Sequence, residues 1–147
     1  EITPDQRQFV AELKAQAAGS EVLEQVVFTG KQPFDALPSL FRAMTIVTAL
    51  SRNEGFGLTV LEAMSSGRPV IASRAGAWPD IINPGVDGLI VEPGAITETR
   101  SALAKLIDDQ GFREQLGRAA RQTILDRYTV AREAEHLISH YRAIAST

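Results

Sequence analysis

Glu54 and Glu62 stand eight positions apart, with Gly55-Phe56-Gly57 directly behind the first. Carboxylates placed this way can grip hydroxyl groups. Glycines let a backbone approach a ligand closely, and a helix starting near Leu58 would aim free amides and a partial positive charge at the preceding loop, favouring a phosphate. A ligand carrying both sugars and phosphates suits such a pair. Around Glu62 the residues Val60, Leu61, Ala63 and Met64 leave almost no polar face, which predicts a helix buried on two sides. A carboxylate buried there needs hydrogen-bond donors, and the vicinal hydroxyls of a ribose would serve. The plainer alternative is that Glu62 merely favours an early helical turn, an effect of up to ~1 kcal/mol, and that Glu54 is a solvated loop acid.

The elements that must hold this pair are readable on either side of it. Ile46-Val47-Thr48-Ala49-Leu50 is apolar without alternation, the mark of a buried strand. The predicted helix runs from about Leu58 to Ser66, with Gly67 as its cap and Pro69 preventing continuation. Val70-Ile71-Ala72 is the next buried strand, Trp78 to Ile82 a short helical turn, and Leu89-Ile90-Val91 a third strand entered through Asp87-Gly88. Upstream, Thr3-Pro4-Asp5 opens a helix carrying Phe9, Val10, Leu13 and Ala17 at helical spacing. Val26-Val27-Phe28 is a β-type run closed by Thr29-Gly30, and Leu37, Leu40, Phe41 and Met44 mark a short helix. From Thr97 onward everything reads as helix. A first apolar stripe (Ala102, Leu103, Leu106, Ile107) is broken at Gly111; a second holds Phe112, Leu116, Ala120 and Ile124, and a third Ala134, Leu137, Ile138 and Tyr141. Strands alternating with helices predict an α/β fold: a Rossmann-like parallel sheet with helices on both faces and a helical C-terminal tail. In such sheets ligands bind at the carboxyl ends of the strands, where the Glu54 loop falls.

Composition narrows the function. At 147 residues, 44% hydrophobic and 22% charged, the chain fits one globular domain with a real core. A formal net charge of -3 argues against wholesale binding to a nucleic-acid backbone. No apolar run approaches the roughly 20 residues a membrane-spanning helix needs, and no signal peptide is seen. The absence of cysteine excludes disulfides and thiolate metal sites and fits a cytoplasmic protein. His136 and His140, the only histidines, have metal-compatible spacing but no third ligand nearby, so they read as a solvated helix face. Residues 111–147 hold six basic and four acidic side chains, an excess also read as a solvated face.

The stretch Glu54 to Ser73, with Glu-x7-Glu, Gly-Phe-Gly, Leu-Glu-Ala-Met and Gly-Arg-Pro-Val-Ile-Ala-Ser, resembles the retaining GT-B glycosyltransferases of family GT4. Val27-Phe28-Thr29-Gly30, Gly76-Ala77-Trp78-Pro79-Asp80 and Gly88 to Gly94 resemble further segments of that family, so the likeness covers roughly residues 26–130. It implies the C-terminal, donor-binding domain and a nucleotide-sugar donor. By that resemblance Glu62 would bond the ribose hydroxyls and Glu54, the catalytic residue of the pair, would contact the transferred sugar. Amides around Phe56, Gly57 and Leu58 would hold sugar hydroxyls or the distal phosphate, with Leu58 and Thr59 best placed for the phosphate. Gly30, Lys31 and Gln32 would lie beside the base.

The chain departs from the family pattern in two ways. The strand–loop–helix that supplies an Arg and a Lys to the diphosphate is not seen, nor is the second strand, and no acceptor-binding domain precedes Glu1. The chain also lacks an initiator methionine. The expectation is a partial donor domain over 1–147, binding donor weakly and inactive alone. Asp80 stands where the family usually has Glu.

The segment from Trp78 to Gly88 resembles bacterial lipopolysaccharide-core mannosyltransferases, which implies GDP-mannose, with UDP-sugars left open. It also implies a glycan or lipid-linked acceptor and peripheral contact of the full enzyme with the cytoplasmic face of the inner membrane. No cofactor or metal beyond the donor is implied. The alternatives are another GT-B enzyme, such as an epimerase or a glycogen-synthase-like transferase, and a non-catalytic Rossmann-like binding module.

Overall fold

A strand that is apolar on both faces needs cover on both faces; Val70–Ser73 receives it throughout, whereas Thr48 and Leu50 of the expected first buried strand are exposed. The computed structural model, which describes residues 4–18 and 23–145, builds the sheet from three short parallel strands. β1 (Val47–Ala49), β2 (Val70–Ser73) and β3 (Leu89–Val91) lie side by side in that order. Val47 pairs with Val70, and Ile71 with Leu89. The helices are α1 (Pro4–Ala18), α2 (Leu37–Ala43), α3 (Leu58–Ser65), α4 (Trp78–Ile81), α5 (Ile96–Asp108), α6 (Gln110–Arg127) and α7 (Val130–Ala145). The expected α/β architecture, a Rossmann-like parallel sheet with a helical C-terminal tail, is therefore present. The chain divides into two units, Glu1–Phe34 and Asp35–Thr147.

The first unit carries α1 and a single 3-10 turn at Leu23–Gln25. Thr3, expected to cap α1, lies outside the described residues. Within this unit the Lys14 ammonium stands 5.5 Å from the centre of the Phe28 ring. The β-type run Val26-Val27-Phe28 forms no strand, and Val27 is 80% exposed. A strand exists only by pairing with another backbone, and none of the described strands pairs with these residues.

In the second unit the side chains of the sheet part into two layers. Val47, Ala49, Val70 and Ala72 pack with Phe41 of α2, Val60, Ala63 and Met64 of α3, Trp78 and Ile81 of α4, and Ala120 and Ile124 of α6. Ile71 and Val91 turn to the opposite face and pack with Leu106 of α5 and Leu116 of α6. Residues alternate between faces along a strand, so β2 is buried throughout.

Two helix ends show how local chemistry sets these boundaries. α3 stops where expected: Gly67 takes a left-handed conformation (φ 69°), its amide donates to the Met64 carbonyl at 2.9 Å, and the Arg68 amide donates to the Ala63 carbonyl at 3.1 Å. This is the paired bonding of a glycine-capped helix terminus. The break between α5 and α6 is not at Gly111, which lies in the first turn of α6. It falls at Asp109, whose carboxylate accepts from the Phe112 amide at 2.8 Å. A side-chain cap that satisfies a free amide outweighs the weak helix-breaking tendency of a glycine two residues on.

Long-range contacts hold α6 to the sheet. A Cβ on Gly117 would run into the Gly67 carbonyl oxygen, so α6 meets the turn after α3 backbone to backbone. Asp87, only 4% exposed, accepts from the Asn83 amide and from the Thr123 hydroxyl, both at 2.7 Å, tying the turn before β3 to α6. α7 contains no buried residue, and its stripe of Leu137, Ile138 and Tyr141 is exposed.

Candidate functional site

β1 ends at Ala49, and the chain then crosses the carboxyl edge of the sheet from Leu50 to Gly57 before α3 begins. Glu54 sits on this crossing, half-buried. Its Oε1 accepts from the Gly55 amide at 3.1 Å and its Oε2 from the Ser51 hydroxyl at 3.4 Å. Both are local contacts, the Ser51 one long, and they orient the carboxylate while leaving further lone pairs free.

The turn behind Glu54 is held from two sides. Ser73, fully buried at the end of β2, donates its hydroxyl to the Ser51 carbonyl at 2.5 Å. Trp78, 1% exposed, donates its indole Nε1 to the Gly57 carbonyl at 3.1 Å. The Ala77 amide donates to the Gly55 carbonyl at 3.3 Å, and a Cβ on Gly76 would collide with the Glu54 and Gly55 carbonyl oxygens. The loop after β2 is thus pressed against the loop after β1. Sequence reasoning placed Trp78 at the start of a helical turn and inside family-like segments, but gave it no bracing role. Its bracing role spans 21 positions and has no periodic signature.

Gly57 adopts φ 75° and ψ 63° at the N-cap of α3 and brings no side chain to cap it. The first-turn amides at Leu58 and Thr59 are therefore left for an outside acceptor, and the helix dipole adds positive potential there. Phe56 and Leu58 are exposed beside them. Glu62 stands one turn along α3. It is half-buried rather than enclosed, because α3 buries only Val60, Ala63 and Met64 and leaves the Leu58–Thr59 flank open. Among the described residues none donates a hydrogen bond to the Glu62 carboxylate.

Glu54, Phe56, Gly57, Leu58, Thr59 and Glu62 are therefore gathered at one end of the sheet. Gly30, Lys31 and Gln32 belong to the first unit, where Gly30 has φ 64° and the Gln32 amide donates to the Thr29 carbonyl at 2.5 Å. At the same sheet edge a cavity of about 220 Å³ lies between the strand ends and α5, lined by Arg52, Ser73, Glu92 and Arg100 among others. Neither Glu54 nor Glu62 lines it. The sequence reading passed over Arg100, which only the packing of α5 brings to this edge. The ring Nδ1 of His140 lies 2.8 Å from the His136 carbonyl oxygen. Among the described residues no three metal-ligating side chains come together, and no helix is long and apolar enough to cross a membrane.

Comparison with known proteins places the chain in a family. The mannosyltransferase LpcC of lipopolysaccharide core biosynthesis from Rhizobium leguminosarum bv. viciae is 32% identical over 97% of this chain and 40% of its own length. A D-inositol 3-phosphate glycosyltransferase from Corynebacterium kroppenstedtii is 38% identical over 79% of this chain and 26% of its own. The chain thus spans well under half of these curated relatives. Among solved structures, the C-terminal domain of the group 1 family protein LpcC from Francisella tularensis superposes with a TM-score of 0.81 at 35% identity, covering 87% of this chain and 66% of that one. Anabaena Alr3699/HepE, solved in complex with UDP, gives a TM-score of 0.89 at 25% identity over 96% of this chain and 38% of its own. The sequence pattern of the glycosyl transferases group 1 family matches residues 6–123, and the chain belongs to that family.

Proposed function

We propose that these residues form the donor side of a retaining hexosyltransferase and take a nucleoside-diphosphate sugar, with GDP-mannose the first candidate. The observation that carries the reading is the Glu54–Glu62 pair set astride the uncapped start of α3. Glu62, half-buried and without a hydrogen-bond donor among the described residues, suits the two hydroxyls of a ribose. The Leu58 and Thr59 amides suit the distal phosphate, with the Phe56 and Gly57 amides toward the sugar. Glu54, held by Ser51 at the loop, suits a hydroxyl of the transferred sugar and the charge developing there.

In the reaction the bond from the anomeric carbon to the diphosphate breaks, and a bond to an acceptor hydroxyl forms on the same face of the sugar. The reading needs no metal or cofactor besides the donor. The acceptor is assigned as a glycan or lipid-linked sugar of the cell envelope, met at the cytoplasmic side of the membrane; the similarity to LpcC supports a lipopolysaccharide core. A UDP-sugar is the second reading, favoured by the Anabaena protein, which was solved with UDP-glucose. Acceptor binding and turnover are assigned to the full-length protein. Sugar transfer by the 147-residue polypeptide alone would overturn that division.

Calorimetric titration of the full-length protein with GDP-mannose, UDP-glucose, GDP and UDP tests the donor. Glu62→Gln should weaken the preferred nucleotide sugar by ~1.5–3 kcal/mol, through loss of charge-assisted hydrogen bonds. Equal affinity in wild type and variant would sink the ribose assignment. Glu54→Gln should lower kcat more than donor affinity, because its partner is the reacting sugar; unchanged turnover would leave Glu54 a plain loop residue.

A further inference from the structure

The opposite end of the sheet carries a feature that the donor site does not use. Gly67-Arg68-Pro69 leads into β2 and Thr45 stands just before β1, so both mark the amino ends of the strands. Between them and α6 lies a cavity of about 380 Å³, lined by Arg68, Arg113, Arg118 and Arg121 with the single acid Glu114. Four guanidinium groups against one carboxylate leave a formal charge of +3 in one pocket of a chain whose net charge is -3.

The framework of this pocket is fixed. Gly117 and Gly67 meet backbone to backbone, Arg113 Nη1 donates to the Leu106 and Ile107 carbonyls at 2.6 and 3.1 Å, and Arg121 donates to the Ser65 carbonyl. These bonds occupy only part of each guanidinium fork, which has five donors. The Arg68 Nε is buried with no hydrogen-bond partner among the described residues, which costs stability in an unliganded protein. Glu114 offsets one of the four charges. Its Oε1 is taken by the Gln110 amide at 2.8 Å, and its Oε2 is 3.6 Å from Arg118 Nη1. That hydrogen bond, with the nearby Arg118 and Arg113 charges, lowers the Glu114 pKa. An isolated surface arginine is usually a solvated charge, but four converging on one concavity with a buried unpaired donor resemble an oxyanion receptor.

We propose that this arginine pocket, at the sheet end opposite the Glu54 loop, is a second anion site that takes a phosphate group. The phosphate comes either from a soluble phosphate compound or from the headgroup of an anionic lipid; both offer the same oxygens to the guanidinium forks. The basic excess of the last helices, read from sequence as a solvated face, is in this part a concentrated site.

The test is a titration of the 147-residue chain with inorganic phosphate, followed by amide chemical shifts. Saturable shifts at Gly67, Gly117 and Arg118 are expected. Arg118→Glu, at a side chain 72% exposed and so free to change without unfolding the protein, should weaken phosphate by about tenfold or more. Arg132→Glu on α7 changes net charge equally outside the pocket and should leave the affinity unchanged. Arg68→Gln, which removes the buried Nε donor, should also weaken phosphate, and an unchanged affinity would overturn the proposal. Shifts confined to Leu58 and Thr59, or equal responses in Arg118→Glu and Arg132→Glu, would overturn the proposal. Sedimentation with phosphatidylcholine vesicles, with and without phosphatidylglycerol, separates the sources. Binding that needs phosphatidylglycerol and is lost in Arg118→Glu supports a headgroup phosphate. Phosphate binding at the pocket without vesicle binding supports a soluble one.

Discussion

Gly57→Ala is expected to destabilise the second unit by about 2–5 kcal/mol, and to do so from inside the candidate donor site. Two causes add. Gly57 has φ 75°, a left-handed conformation that costs an L-residue with a Cβ roughly 1–2 kcal/mol. The new methyl would also enter the Trp78 indole and stand 2.9 Å from Glu54 Cγ, and forced overpacking typically costs about 1–3 kcal/mol more. Urea unfolding should show a lowered midpoint at unchanged slope.

A double-mutant cycle can split the two causes. Trp78→Leu removes the ring that the methyl strikes, so Gly57→Ala should cost less in that background, leaving mainly the backbone strain. Equal stability of wild type and Gly57→Ala would mean that the turn relaxes freely and that Trp78 braces nothing. Because Glu54 is one of the groups struck, the same variant should lose donor affinity even under conditions where it remains folded.

What could be read from residue types was whatever nearest neighbours decide. α3 begins at Leu58 and ends by its glycine cap because helix start and stop are set by bonds within one turn. The three strands were legible as short, unbroken apolar runs between turn residues. Val26-Val27-Phe28 has the same appearance but forms no strand. Pairing is supplied by other parts of a chain, and local composition does not contain it. Asp109 and Gly111 show competition at short range: both disfavour helix, and the one whose side chain can accept a capping hydrogen bond marks the boundary.

The position of the Glu54–Glu62 segment at the sheet edge was legible; the contacts that support it were not. Glu54, Gly57 and Glu62 are gathered where the strand–helix order put them. The predicted burial of Glu62 on two sides failed because an apolar sequence around a residue does not guarantee a neighbour on every flank. The braces from Ser73 and Trp78 were invisible because each joins residues more than 20 positions apart. They matter most for pre-organisation: a turn pinned by the next strand's loop need not be ordered when a ligand arrives.

Asp87→Ala is the second large effect, expected at about 2–4 kcal/mol, and it acts through groups that lose a partner rather than through volume. The Asp87 carboxylate receives the Asn83 amide on one oxygen and the Thr123 hydroxyl on the other, both at 2.7 Å. Alanine would orphan both donors in a place where the side chain is 4% exposed, and each unsatisfied, partly buried donor costs about 1–3 kcal/mol. Asp87→Asn separates this account from simple packing. The asparagine carbonyl oxygen can still accept from the Asn83 amide, while its NH₂ can donate to the Thr123 oxygen, since a hydroxyl accepts as well as donates. The cost should then fall below about 1.5 kcal/mol, the net worth of an ordinary hydrogen bond. Thr123→Val in turn should cost little once Asp87 is alanine, because the bond it removes is already gone. Additive losses in the Asp87→Ala, Thr123→Val cycle would show that the two side chains do not act together. Coupling would show that the turn before β3 is positioned from α6, the same helix that walls the arginine pocket.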